Sequence, residues 1–121
     1  MVARPACKSR RSRLAIVITV IATRHTLAVD AYVVDVLMRD LAGHDRSPAA
    51  FLVYLYLWRR TRAESRAGVR LSHQDIADEV GLSKSAVQQA LRILHRRSLV
   101  KSKQRHRTDT PEHQVMRPWA R

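Results

Sequence analysis

Four side chains at helical spacing carry the most specific chemistry in this 121-residue chain: Ser85, Gln88, Gln89 and Arg92. At about 100° per residue they lie on one side of a helix drawn over 84–97, with Val87, Ala90, Leu91 and Leu94 opposite them. A glutamine amide pairs bidentately with adenine and an arginine guanidinium with guanine, while a serine or lysine at a helix start reaches base edges or phosphates. Ser85, Gln88, Gln89 and Arg92 are therefore expected to contact bases, and Lys84 and Arg96 to contact phosphate. From Lys84 to Arg107 there are eight Lys or Arg and no Asp or Glu. Lys101, Lys103, Arg105 and Arg107 extend the phosphate set, toward the backbone or the minor groove. A charge run is usually only a solvated face; here it coincides with the helix just described.

Such a helix must be held by a partner, and the preceding residues supply one. Ser72 opens Ser-His-Gln-Asp-Ile-Ala-Asp-Glu-Val80, with Asp75 three residues after the serine in a capping-box variant that uses Asp instead of Glu. Gly81 ends this helix and tolerates the positive φ that a tight turn needs, and Ser83 caps the next one. Ala77 is small where two steeply crossing helices approach. Ile76, Val80, Leu82, Val87, Ala90, Leu91 and Leu94 are expected to share one small core. Asp75, Asp78 and Glu79 read as capping and solubilising residues.

Around this pair the pattern is also legible. Ser47-Pro48 is a cap followed by proline at the first helical position, and starts a helix to about Arg62. Ten successive apolar or aromatic residues, Ala49 to Trp58, require that helix to be covered on several sides. The covering is either its own domain or a second copy of the chain. Tyr and Trp here are packing residues. Val69-Arg-Leu71 suits a short strand. Leu99–Lys103 and Gln114–Arg117 suit two wing strands around a tip containing Thr108-Asp-Thr-Pro-Glu112. Upstream, Val33, Val34, Leu37, Met38 and Leu41 predict a helix over 30–42, capped by Asp30 and ended by Gly43.

The run Leu71-Ser-His-Gln-Asp-Ile-Ala-Asp-Glu-Val-Gly-Leu-Ser-Lys-Ser-Ala-Val-Gln-Gln-Ala-Leu-Arg-Ile-Leu94 resembles winged helix-turn-helix regulators of the MarR and GntR type. The resemblance covers roughly 48–119, less than two thirds of the chain. It implies a mainly α fold with a small β-wing, here with an extra N-terminal helix, and double-stranded DNA as partner. The sequence shows neither the long helical dimerisation region of the first type nor the ligand-binding domain of the second, and no effector is read from it.

Composition agrees with a polyanion partner. The formal net charge is +13, from 23 Lys and Arg against 10 Asp and Glu, which favours nucleic acid first and an anionic membrane surface second. A single cysteine, Cys7, excludes an internal disulfide and fits a cytoplasmic setting. The six histidines, at 25, 44, 73, 95, 106 and 113, have no metal-site spacing and read mostly as solvated. No metal, cofactor or catalytic residue is expected: there is no Ser/His/Asp or Cys/His constellation, phosphate loop or paired-carboxylate motif.

Residues 1–26 are set apart as a basic and apolar extension and 27–121 as the domain. Arg4, Lys8, Arg10, Arg11 and Arg13 precede the run Leu14–Ala22, imitating a signal peptide, but nine residues fall short of the roughly 20 that span a bilayer. A disordered basic arm or residues from an upstream start codon are the favoured readings. The function expected is that of a sequence-specific DNA-binding regulator acting as a homodimer. A plasmid replication or partition initiator and a winged-helix protein-interaction module are the alternatives.

Overall fold

The computed structural model describes residues 26–63 and 68–120. The extension at 1–26 lies outside them except for Thr26, and so does the loop segment 64–67. Helices α2 (Pro48–Ala63), α3 (His73–Val80) and α4 (Lys84–Arg96) form the body, and β1 (Gly68–Arg70), β2 (Val100–Lys103) and β3 (Glu112–Val115) form one antiparallel sheet in the order β1-β3-β2. A first helical segment, α1, runs in two wide π-type turns, Val33–Leu37 and Arg39–His44.

The core is built from every element. Ala50, Val53, Tyr54, Leu57, Trp58 and Thr61 form a buried stripe on α2 at spacings of three and four, the mark of a helix with one inward face. This narrows the reading of a helix apolar all round: Leu52 is exposed and Phe51, Leu55 and Tyr56 are half-buried. The helix packs on α1, α3, α4 and the sheet. Its aromatic tips are satisfied, as burial demands: Tyr54 Oη donates to the Met116 carbonyl (2.9 Å) and Trp58 Nε1 to the Ala28 carbonyl (2.9 Å). The start follows the sequence, with the Ala50 amide donating to Ser47 Oγ at 3.2 Å.

α1 departs from expectation in three respects. Val33, Leu37 and Leu41 are buried, but Val34 and Met38 face solvent, because the inward face takes residues four apart. Asp30 does not cap with its side chain. Its carboxylate accepts from Trp119 Nε1 (2.9 Å) and pairs with Arg117 (3.6 Å), fastening the C-terminal segment to the start of α1. Gly43 does not end the helix either. The left-handed position is taken by Arg46, at φ 52°, after Asp45 donates its amide to the Asp40 carbonyl.

The wing is also shifted. β3 begins at Glu112, which the sequence places in the tip, and stops at Val115 rather than Arg117. The reason is pairing on both edges: Glu112 stands opposite Arg70 of β1 and Lys103 of β2. Past Val115 the Met116 amide still donates to the Leu99 carbonyl at 2.8 Å, and the strand ends there as the Met116 carbonyl takes the Tyr54 hydroxyl. Leu99 is buried ahead of β2 rather than within it, and β1 covers 68–70 instead of 69–71.

Candidate nucleic-acid interface

The helix pair is assembled by local chemistry. Ser72 Oγ accepts from the Asp75 amide and Asp75 Oδ2 accepts from the Ser72 amide, both at 3.1 Å, so the box with Asp in the third position closes. Gly81 lies at φ 85°, ψ 32°, and its amide returns to the Ala77 carbonyl. Ser83 Oγ accepts from the Ala86 amide at 3.1 Å and starts α4. Ile76, Val87, Ala90, Leu91 and Leu94 are buried together, with Val80 and Leu82 half-buried against them.

This burial turns the other side of α4 outward. Lys84, Ser85, Gln89, Arg92 and Arg96 are exposed and Gln88 is half-buried. Ser83 and Ser85 hydroxyls lie 3.3 Å apart at the helix start. The structure therefore places the six α4 candidates on the side away from the core, in one open strip with no carboxylate among them. Lys101 and Lys103 are exposed on β2, and Arg105 and Arg107 are exposed at the wing tip. The tip is ordered by its own side chains. Gln104 Nε2 donates to the Arg107 and Asp109 carbonyls, and Asp109 Oδ2 accepts from the His106 amide at 3.1 Å. Lys103 differs from its neighbours in having Glu112 across from it in the ladder.

Two contributors were missed by sequence reasoning. Arg70, exposed on β1, reaches the tip by donating to the Thr110 carbonyl at 3.4 Å. It lies in a three-residue strand whose neighbour, β3, is remote in sequence, so no local signal marks it. The second concerns the histidines. His113 is 1 % exposed and lies in the middle of the sheet, contrary to the expectation of a solvated ring. Burial holds it below the ordinary imidazole value, with His73 and His95 pushing the same way and the bond to Leu71 opposing. His95, exposed as a residue but partly shielded at its ring, is lowered by that partial burial, and His73 by burial and then by Lys84 and His95. At the far end of α4, Arg97 grips Asp45 through Nε and a terminal nitrogen and holds that carboxyl below its usual range.

A short helix, a glycine-closed turn and an outward-facing second helix, followed by a basic β-wing, define the winged helix-turn-helix class. The family described as the Crp-like helix-turn-helix domain matches residues 49–112. That is more than half of the chain, and the chain belongs to that family, which points to a DNA-binding regulator. The likeness to the MarR and GntR types rests on the residues quoted above alone. No curated protein and no solved structure matches the chain. Among the described residues, no helix is long and apolar enough to cross a membrane and no group of three or more His, Cys, Asp or Glu is placed to hold a metal ion.

Proposed function

We propose that the protein is a sequence-specific transcriptional regulator that lays α4 in the major groove of double-stranded DNA and sets its wing on the adjoining phosphates or minor groove. The observation that carries this reading is the outward strip of α4 set beside an exposed cationic wing. Ser85, Gln88, Gln89 and Arg92 have the donors and acceptors for base edges. Lys84, Arg96, Lys101, Lys103, Arg105 and Arg107 supply charge for phosphate, which gives affinity and orientation but no sequence information. Lys103 contributes least of these, because Glu112 stands opposite it. The proposed action on DNA involves no catalysed reaction, and its proposed setting is the cytoplasm.

A homodimer is the proposed working form, on half-sites about one DNA turn apart. Val34 and Met38 on α1, four residues apart and both exposed, support it, as apolar side chains grouped at a surface favour a partner. Residues 27–121 are taken as the binding domain.

Footprinting of genomic fragments tests the reading. Discrete protected sites at promoters are expected, and the double variant Arg92→Glu with Arg105→Glu should abolish them. Protection confined to a replication origin would favour an initiator. Unchanged DNA affinity in the double variant would favour a protein-interaction module.

A further inference from the structure

One polar chain runs from the exposed flank of α4 through β2 to the buried centre of the sheet. His95 Nε2 lies 2.8 Å from Ser102 Oγ, Ser102 Oγ lies 2.7 Å from His113 Nδ1, and His113 Nε2 lies 3.0 Å from the Leu71 carbonyl. Its proton order follows from the end that cannot vary. A carbonyl only accepts, so His113 donates from Nε2. With the ring neutral, Nδ1 is then an acceptor, and only the Ser102 hydroxyl is there to fill it. The Ser102 oxygen is left to accept from His95 Nε2–H. One hydroxyl thus joins the last turn of α4, the middle of both wing strands and the residue that precedes the cap of α3.

We propose that Ser102 is a positioning residue for DNA binding, which through His95 and His113 locks the recognition helix and the wing at one separation so that both engage a site together. The inference rests on the DNA-binding reading above. Its geometry favours that role over simple packing. His95 is three residues beyond Arg92 on α4, and Ser102 lies between Lys101 and Lys103 on β2, so the outer link joins the two elements that carry the proposed contacts. Apart from Ser102 and Leu71, His113 faces Val69 across β1 and the charges of His73 and His95 reach it, while Tyr54 of α2 is committed to Met116 just past β3. Nothing in that set replaces the serine hydroxyl as donor to Nδ1.

The test uses the full chain as wild type, Ser102→Ala, Ser102→Thr and His95→Ala. Imidazole titrations by NMR on the free protein read the chain directly. Affinities for a duplex recovered by binding selection and for a random duplex read its consequence. Ser102→Ala is expected to move the titrations of both His95 and His113, and to weaken the selected duplex by about tenfold while the random duplex changes less than about twofold. Ser102→Thr restores the hydroxyl and should restore both readouts. His95→Ala alters an exposed residue, and so reproduces the loss of selectivity even if Ser102→Ala folds poorly. Unmoved titrations in Ser102→Ala, or an equal loss on both duplexes, overturns the positioning role. Failure of the wild type to bind any duplex overturns the regulator reading instead, and leaves the hydrogen-bonded chain to be judged by the titrations.

Discussion

The helix pair and the wing are neighbours on the same proposed surface, yet they are held by different physics. Residues 72–96 are fixed within a few positions of themselves: two serine caps, one left-handed glycine, and a buried apolar face at helical spacing. The wing is fixed by residues far along the chain. β3 is sandwiched between β1, more than forty positions earlier in register, and β2, and its central side chain is an imidazole rather than an aliphatic group. The helix pair is thus an apolar, locally encoded body, and the wing is a polar, remotely encoded one. Substitutions that remove apolar volume should injure the first. Changes in proton balance should injure the second.

The largest effect is expected from Leu94→Ala. Leu94 is fully buried where α4 meets the core, and a leucine truncated to alanine in such a site costs about 2–5 kcal/mol. Denaturant unfolding should show a lowered midpoint with an unchanged slope. A loss below about 1 kcal/mol would mean that the helix pair is not the stable body described. Gly81→Ala should cost less, about 1–2 kcal/mol, from the left-handed backbone alone. A Cβ there meets nothing within 4 Å, so the loss should be the same for alanine and serine, and asparagine, which adopts this conformation more readily, should recover part of it.

Acid should separate the two regions. His113 is held below its ordinary value in the folded protein, chiefly by burial, so the unfolded chain binds the proton more readily. His73 on α3 and His95 on α4 are lowered as well, but one is half-buried and the other exposed, so the larger share falls on the fully buried ring of His113 in the wing. The stability that His113 contributes is therefore fully present above about pH 6.5, the unfolded imidazole value, and is lost as pH falls through the lower folded value. Hydrogen exchange followed down this range should show amides of β2 and β3 losing protection before those of α3 and α4. Simultaneous loss would show that the wing is no less robust than the helices.

This contrast also explains what the sequence revealed. The caps at Ser72 and Ser83, the turn at Gly81 and the shared core from Ile76 to Leu94 depend on neighbours within one or two turns, and each is found where the spacing put it. The outward strip from Ser85 to Arg96 follows from the same periodicity. What escaped was non-local. The start of β3 at Glu112 depends on pairing with Arg70 and Lys103. Burial of His113 depends on a serine eleven positions away and a carbonyl forty-two positions away. The diversion of Asp30 from capping depends on Trp119 at the other end of the domain. No composition or period marks such meetings in advance. Arg46 in place of Gly43 at the end of α1 is a smaller case: tertiary contacts carried the helix past its nominal terminator.

The smallest change offers the sharpest view of the wing. Gln104 is exposed, and its amide spans the tip to the Arg107 and Asp109 carbonyls. Gln104→Ala should leave stability within about 0.5 kcal/mol, as surface substitutions do, because the His106–Asp109 backbone turn and the ladder both remain. Its effect belongs to binding. A tip no longer ordered in advance must be ordered on DNA, and an ordering cost of about 0.5–1 kcal/mol weakens affinity roughly threefold. Equilibrium titration at fixed salt should detect this for a selected duplex. The same factor should appear with Arg105→Ala already present only if Gln104 orders the other tip cation, Arg107. Disappearance of the effect in the Arg105→Ala background would assign the contact to Arg105 and reduce Arg107 to a solvated charge.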